Sequence, residues 1–535
     1  MSRGFRRLAA VACIAVLLSA AIGCSKDSPR DKAFYLPLSA EPRQLDPQVS
    51  TDAASVTMAA ALFEGLTRLD EDGAAVPGAA EWTVSGDGLT YTFTLRDSKW
   101  SDGTAVVAQD FVFGMQRSVL PTTRSSLAGQ LFCIRGAREI NEGKQDAQTL
   151  GVTAPDSKTV VITLTEPDTA FPEKAAATPF MPCNRAFFES TDGRYGLDQE
   201  FVLTNGPFAL KSWRHSRSLT LVKNEGYHDS EDIYPACVQY VIKNLADPLA
   251  TLEQEGLDAA EIPAGQAEAA KSKGLQAVML QDTIRTIWLN NKVNVLSSAP
   301  VRRALRSGIE WPLINEQLDD TFCAPAAGYA APDAVVSGAE LYRTKDNART
   351  PSADAAGAQK SLADGLAALE LTACPKLTVL CADDGYSRRL ALYVMQSWQK
   401  NLFLYFDITY LPADELAARV SVGNYEVAIL SSTVRGMTAL DAFSTYVTGA
   451  SGNQARFSNS AYDKLYASSA AGTVTRAELD ALEAMLVQEC PSIPLCFESR
   501  VYGISPKVSG LIVRPFGGGA FGAAFDFRHA GKTEK

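Results

Sequence analysis

Alternating apolar and polar positions predict strands in the first third of the chain. The aromatic residues of TYTFTL, residues 90–95, alternate with threonines after a Ser-Gly-Asp-Gly turn, which predicts an antiparallel hairpin over residues 82–96. The same alternation predicts a strand over residues 159–165. A strand is also predicted over 33–39, and a helix with one apolar face over 55–66. We therefore expect a half-buried antiparallel sheet in this region.

Two later blocks alternate strands with helices. The first predicts a βαβ unit, with a strand over 238–243, a helix opened by Asp247 and Pro248, and a strand over 257–262. The second predicts three strands separated by two helices, in the order strand 377–381, helix from 387, strand 405–411, helix 414–422 and strand 425–430. Such an order indicates parallel pairing within an α/β sheet.

Parallel pairing also predicts where a ligand binds. In open parallel sheets, ligands bind beyond the carboxyl ends of the strands, where the connecting loops converge. In this chain those loops are residues 382–386 (ADDGY) and 431–437 (SSTVRGM). They form the predicted ligand site.

The N-terminus has the pattern of an export signal. Three arginines within residues 3–7 precede an apolar run over residues 8–21, which is too short to span a bilayer at the roughly 20 residues required. Small residues stand directly before Cys24, as in a bacterial lipobox, although Ala21 replaces the usual leucine. We expect residues 1–23 to be a signal peptide and Cys24 to carry lipid. Plain secretion and an uncleaved anchor remain open.

Composition and charge exclude several classes of protein. Of 535 residues, 46% are hydrophobic and 21% charged, which is typical of a folded globular chain rather than a disordered one. The net charge of -11 argues against nucleic acid as a partner. Only three histidines are present, so a histidine-rich metal site is not expected. No metal or other cofactor is predicted.

Cysteine spacing predicts two local disulfides. With Cys13 in the signal and Cys24 reserved for lipid, eight cysteines remain, and an even number outside the cytosol favours disulfides. The two short spacings are Cys374 with Cys381 and Cys490 with Cys496. The alternative is that some of these residues are buried free thiols.

Catalytic motifs do not support an enzyme. Gly517, Gly519 and Gly522 spell GxGxxG, but too little chain follows for a dinucleotide fold. The sequence contains no phosphate loop, HExxH or GxSxG motif. Asp383 and Asp384 are adjacent and precede a glycine, which is more typical of a turn and helix cap than of an acid/base pair. No catalytic residue is predicted.

A dense set of motifs resembles one family over nearly the whole chain. It includes EPRQLDP at 41–47, LFEGLTRLDEDG at 62–73, KWSDGTAVVAQDFVFGMQR at 99–117 and TNGPFAL at 204–210. These segments resemble the peptide-binding lipoproteins of ABC importers, in the peptide/nickel family of extracellular solute-binding proteins. The resemblance implies an α/β, two-lobed fold like that of periplasmic binding proteins, with a hinge and an extra peripheral domain.

The family's chain order implies how the sequence is divided. Lobe I is expected from residues 24–63, 196–282 and 497–535. A peripheral domain is expected over 64–195, and the opposing lobe III over 283–496.

The resemblance also implies a function. The protein is expected to capture peptides or a related small solute outside the membrane and deliver them to an ABC permease, as a lipid-anchored monomer without catalytic activity. Two rival readings remain open, a secreted hydrolase on a similar frame and a ligand sensor or adhesin that does not transport.

In oligopeptide-binding members of the family, an Asp in the loop matching 431–437 pairs with the free amine of the peptide. Arg435 stands at that position here, next to Ser432 and Thr433. We hypothesise that Arg435 binds a carboxylate or other anion of the ligand; the alternative is a salt bridge. Weaker candidates for ligand contact are Tyr386, Trp288 and Arg285.

Overall fold

The computed structural model describes residues 33–70, 74–311, 323–338, 340–344, 347, 352–433, 438–450, 452–470, 472–515, 525–526 and 528–532. The predicted signal peptide, Cys24 and Arg435 lie outside these ranges.

The described residues form a mixed α/β structure. Its strands, in chain order, are β1 Ala33–Leu38, β2 Thr67–Leu69, β3 Ala75–Pro77, β4 Ala80–Val84, β5 Thr90–Leu95, β6 Val152–Thr153, β7 Thr159–Thr163, β8 Phe208–Arg214, β9 Ser218–Lys223, β10 Cys237–Ile242, β11 Ala259–Ile262, β12 Gln276–Leu289, β13 Cys323–Pro325, β14 Thr378–Ala382, β15 Asp407–Leu411, β16 Val427–Thr433, β17 Ser492–Ile504, β18 Val508–Ser509, β19 Ile512–Val513, β20 Phe525–Asp526 and β21 Gly531–Lys532.

The α-helices are α1 Ala53–Leu62, α2 Ala108–Val119, α3 Ala137–Asn141, α4 Phe171–Lys174, α5 Arg185–Ser190, α6 Pro248–Glu255, α7 Ala267–Ser272, α8 Asn294–Ser297, α9 Ala299–Ser307, α10 Ala355–Ala368, α11 Gly385–Leu402, α12 Ala413–Val422, α13 Ala439–Ser444, α14 Ser460–Ala470 and α15 Arg476–Glu489. Short 3₁₀ turns are Pro121–Thr123, Ala128–Leu131, Ala147–Thr149, Thr178–Phe180, Gln199–Phe201, Ser230–Asp232 and Ala264–Gln266.

The first of three larger sheets has four strands in the order β1-β10-β9-β8. β1 pairs parallel with β10, while the other pairings are antiparallel. Alternate residues of these strands, such as Phe34, Leu36 and Leu221, are buried in one core together with helix α1. Period-two burial of this kind is expected for a sheet with one face packed on a core.

A second antiparallel sheet, β4-β5-β7-β6, confirms the hairpin predicted from the sequence. Val84 pairs with Tyr91 across the turn, and the Ser85 hydroxyl donates to Asp87 at 2.5 Å. Tyr91, Phe93 and Leu95 are buried, as their alternation predicts. Helix α2 packs in the same core.

The third sheet, which positions the candidate site, runs β11-β17-β12-β16-β14-β15, with β13 also pairing with β17. β14 is parallel to both β15 and β16, which confirms the parallel pairing predicted for this block. Separate apolar cores cover its two faces. One contains α9 to α11, and the other contains α12, α13 and α15. Burial on both faces explains the nearly continuous apolar runs of β14 and β16.

The predicted βαβ unit over 238–262 is wrong, although its elements exist. Asp247 caps α6 by accepting a hydrogen bond from the Ala250 amide at 3.1 Å. β10, however, belongs to the four-stranded sheet, whereas β11 pairs antiparallel with β17 at the edge of the seven-stranded sheet. Ala260 and Ile262 of β11 pack with Leu249 and Leu252 of α6 in a separate small core, and this packing directs the strand to the other sheet.

The helix predicted over 55–66 begins and ends earlier than its apolar pattern indicates. Asp52 accepts a hydrogen bond from the Ser55 amide at 2.9 Å, so the helix begins at Ala53. It ends at Leu62, because Phe63 is extended. Phe63 and Leu66 are still buried, which is why they fit the apolar pattern.

β12 and β17 are long strands that pair over nearly their whole lengths. Their register shifts between Leu280 and Thr283. At this irregularity the fully buried carboxylate of Asp282 accepts from both the Nε, at 3.0 Å, and an Nη of Arg500. The lobe and peripheral-domain boundaries expected from the sequence stay a prediction.

Candidate functional site

The two predicted ligand loops begin at neighbouring strand ends. β14 and β16 are adjacent and parallel, with Cys381 opposite Ile429, so residues 382–386 start beside the end of β16. Helix α11 begins directly after β14, and the Asp384 side chain caps it by accepting from the Ser387 amide at 2.8 Å. Partial burial opposes ionisation of Asp384, but the bonds from Ser387 and the nearby charge of Arg285 leave its pKa below the usual value.

Arg285, on β12, is the centre of a polar network at this edge. Its Nε donates to Glu498 Oε1 at 2.6 Å, and its Nη1 donates to the Ser387 hydroxyl at 2.8 Å. The Ser431 hydroxyl donates to the other Glu498 oxygen at 2.5 Å. We call Arg285, Ser387, Ser431 and Glu498, with Tyr386, the strand-end cluster.

The charges of the strand-end cluster are paired and nearly buried. The side chains of Arg285 and Glu498 are only 12% and 9% exposed, so each buried charge is compensated by the other. Arg285 is therefore held by protein groups at this edge of the sheet. This differs from an arginine free to bind a ligand anion.

Tyr386 packs against this ion pair. The guanidinium carbon of Arg285 lies 4.9 Å from the centroid of its ring, and its hydroxyl lies 3.8 Å from Cys496 Sγ. Burial, followed by the negative charge of Glu498, raises the pKa of Tyr386, so the phenol stays protonated and can donate a hydrogen bond.

Trp288 does not join the cluster. It lies three residues beyond Arg285 on the same strand, and successive side chains of a strand point to opposite faces. Trp288 is 2% exposed and packs against Tyr446, with the ring centroids 6.0 Å apart. Its Nε1 is buried without a hydrogen-bond partner. Trp288 is therefore a core residue in this structure.

Of the predicted loop 431–437, only residues 431–433 are described, and they belong to β16. Ser432 pairs with Ile284 near the end of β16 and is half-buried, on the face opposite Ser431. Thr433 is the last residue of the strand. The side chain of Thr433 and all of Arg435 lie outside the described residues, so their roles in ligand binding stay a prediction.

Two residues of the cluster, Ser387 and Glu498, lie outside the predicted ligand loops. Ser387 carries no distinctive pattern. Glu498 did offer a signal, because it is an acidic residue inside a long buried strand, and a buried charge requires a partner. A search for its counter-charge on the neighbouring strands would have found Arg285.

Neither predicted local disulfide is present. Cys374, Cys381 and Cys490 are free thiols, whereas Cys496 is disulfide-bonded. β14 carries Cys381 away from Cys374, and β17 carries Cys496 away from Cys490. Extended chain rises about 3.3 Å per residue, so these spacings exceed the reach of a disulfide. Burial raises the pKa of Cys381 to about 11, which keeps its thiol protonated.

No cluster of three or more His, Cys, Asp or Glu side chains in the described ranges could hold a metal ion. Within the same ranges, none of the helices has the length and hydrophobicity needed for a membrane span.

A sequence model of the bacterial extracellular solute-binding proteins, family 5, matches residues 75–454. The chain belongs to this family. Members of the family are solute-binding proteins, and the two-lobed fold expected from the sequence is the fold of their solved structures.

Relatives of this family 5 protein align over most of its length. It is 27% identical over 508 residues to the oligopeptide-binding protein OppA of Bacillus subtilis, covering 91% of each chain. The structure of the Escherichia coli murein tripeptide binding protein MppA superimposes with a TM-score of 0.78 at 26% identity, covering 94% of this chain and 99% of that one.

A second MppA structure is less similar to this one. The unliganded open form of MppA gives a TM-score of 0.71, at the same 26% identity and 94% coverage of this chain. The family 5 protein described here is therefore closer in shape to the first MppA structure than to the open form.

Proposed function

We propose that this protein captures peptides outside the membrane and delivers them to an ABC permease. The observation that carries the proposal is the alignment with OppA of Bacillus subtilis over 91% of both chains. The strand-end cluster supports this proposal, because the cluster places hydrogen-bonded polar side chains where parallel strands of the seven-stranded sheet end. No bond is made or broken in this function, and the protein is not an enzyme.

Binding would work by closure of the two lobes. A ligand stabilises the closed form only if that form makes more contacts with it than the open form does. The paired strands β12 and β17 would act as the hinge, because their register irregularity at Asp282 coincides with the boundary expected between lobes I and III.

Arg435 would determine which end of the peptide is bound. The cluster's own arginine, Arg285, already has a carboxylate partner. Arg435 would therefore supply the guanidinium that binds a ligand carboxylate, with Ser432 and Thr433 beside it. Recognition of a carboxylate would distinguish this protein from relatives that bind a free amine at the same position.

The first experiment is native mass spectrometry of the soluble part from Ser25, before and after unfolding and refolding. We expect a ladder of co-purified peptide masses that disappears on refolding. Peptides identified in this way are then titrated calorimetrically against Arg435→Ala, for which we expect at least tenfold weaker binding, since charged hydrogen bonds contribute about 1.5–3 kcal/mol. C-terminal amidation of the peptide should have a similar effect.

The matched control is Arg388→Ala. Arg388 lies on the first turn of α11, but its Nε already donates to Asp383 at 2.7 Å. Its removal should leave affinity unchanged. A single non-peptide mass in the native spectrum would contradict peptide capture, and unchanged affinity in Arg435→Ala would contradict the role of Arg435 alone.

The proposal also includes a lipid anchor and contact with the permease. Cys24 would carry lipid and hold a monomer at the outer face of the membrane, where the closed lobes contact the permease. In a bacterial host, Cys24→Ser should move the protein from the membrane fraction to the soluble extracytoplasmic fraction. Persistence of this variant in the membrane fraction would contradict lipid anchoring at Cys24.

A further inference from the structure

A pocket elsewhere in the protein shares no residue with the strand-end cluster. It opens between the end of helix α1, strand β2, the start of β8 and the C-terminal hairpin β19–β20. Its volume is about 90 Å³. A space of this size holds a few water molecules or one small ion.

The charged lining of this pocket is unbalanced. Three guanidinium groups, those of Arg68, Arg514 and Arg528, face two carboxylates, those of Glu64 and Asp526. We call it the arginine pocket. Its lining carries an excess of one positive charge.

Both lining carboxylates are already engaged. Asp526 accepts from Arg514 Nη2 at 2.7 Å and from Arg528 Nε at 3.0 Å. Glu64 accepts from the Tyr227 hydroxyl and from His228 Nε2, each at 2.5 Å. Neither carboxylate therefore supplies the acceptor that the remaining guanidinium donors require.

Two donors of the pocket are unused. The Nε atoms of Arg68 and Arg514 are buried and have no hydrogen-bond partner among the described residues. The Arg514 side chain is only 16% exposed. A buried N–H without an acceptor is unfavourable, and one on a charged group more so. Both arginines line the same small pocket, which indicates that an acceptor for their guanidinium groups belongs there.

We propose that the arginine pocket binds a small oxyanion, either an inorganic phosphate or sulfate or the carboxylate of a small organic acid. Guanidinium groups bind such anions through paired N–H donors, and the excess positive charge offsets the cost of burying the anion. The bound anion would tie β2 to the C-terminal hairpin, because Arg68 is the middle residue of β2 and Arg514 follows β19 directly. This site is separate from the proposed peptide site and does not depend on it.

The test is thermal unfolding of the purified protein, followed by tryptophan fluorescence, with separate titrations of phosphate, sulfate and acetate. Sodium chloride at equal ionic strength is the reference for each. We expect at least one anion to raise the Tm saturably, because a ligand that binds only the folded state stabilises it. A response to phosphate or sulfate identifies an inorganic ion, and a response to acetate alone identifies a carboxylate.

Three variants assign the effect to the pocket. Arg68→Gln removes one unused donor with its charge, and Arg514→Lys removes the other while keeping a positive charge beside Asp526. Each variant should raise the half-saturation concentration of the anion at least tenfold. The control Arg419→Gln removes an exposed arginine of α12, paired with Glu415 at 2.7 Å, and should leave it unchanged.

Equal half-saturation concentrations in all four proteins, or responses no larger than that of chloride, would overturn the proposal. A crystal soaked in selenate gives an independent answer. Anomalous scattering should place selenate within hydrogen-bonding distance of Arg68 and Arg514. Selenate bound only elsewhere, or not at all, would also overturn the proposal.

Discussion

Breaking the buried ion pair of the strand-end cluster should be costly, whereas removing the whole pair should not. Arg285 and Glu498 are 12% and 9% exposed and lie 2.6 Å apart. In Arg285→Met, Glu498 keeps only the bond from Ser431 and becomes a buried charge without a counter-ion. Loss of one partner from such a pair costs about 3–5 kcal/mol. Loss of the bond to Ser387 adds roughly 1 kcal/mol.

Glu498→Gln should show a similar loss, because it leaves Arg285 buried without a carboxylate. In Arg285→Met/Glu498→Gln no uncompensated charge remains, and the free energy of unfolding should return to within about 1–2 kcal/mol of wild type. The two single losses together should therefore exceed the loss of the double variant by several kcal/mol.

Urea unfolding of the four proteins at one pH measures this cycle, provided that the urea dependence is the same for all. The surface pair Arg419 and Glu415 of α12, 41% and 46% exposed, is the control, with an expected coupling of about 0.5 kcal/mol or less. If the coupling energy of the buried pair is no larger than that of the surface pair, the description of Arg285 as held by its ion pair with Glu498 is refuted.

Two further predictions concern buried side chains elsewhere. Trp288→Ala should lower the free energy of unfolding, measured by thermal unfolding, by about 3–5 kcal/mol, and Trp288→Phe should lower it much less because Nε1 has no hydrogen bond to lose. Both variants should leave peptide affinity unchanged. A selective loss of affinity would return Trp288 to the ligand site. Burial lowers the pKa of His228, but the hydrogen bonds and negative charges of Glu64 and Asp229 outweigh burial and raise the pKa above 6.5. The charged Arg96 also faces this ring, with its Nη1 at 3.5 Å from His228 Nδ1. Its stabilisation is therefore complete below pH 6.5 and lost as pH rises through the folded-state pKa, so urea midpoints of His228→Gln should vary less with pH above 6.5 than those of wild type.

Local sequence patterns predicted the strands and helices better than they predicted which strands pair with each other. The hairpin at 82–96 and the parallel strands β14 to β16 follow from alternation and from strand-helix order, which depend on residues close in sequence. β11 was assigned to the wrong sheet because its partner, β17, lies more than 200 residues later. No local pattern records such a pairing.

The features of the candidate site also divide into those that depend on local sequence and those that depend on distant residues. The loop after β14 was found because its position follows from parallel pairing alone. The ion pair between Arg285 and Glu498 joins residues 213 positions apart, so their contact depends on the sheet order rather than on spacing. Trp288 lies in the core because Arg285, three residues earlier, faces the cluster and one strand presents alternate residues to opposite sides. Its role in ligand contact stays a prediction.

The positions of β10 and β17 have a consequence for how the chain folds. β1 requires β10, with Ala33 opposite Cys237, and β12 requires β17, with Trp288 opposite Ser492. Pairings between such distant residues cannot form until the later strand is available, and contacts of long sequence separation slow folding. β17 is also the strand that pairs with β11, β12 and β13 in the largest sheet, so that sheet stays incomplete until this late strand has been synthesised.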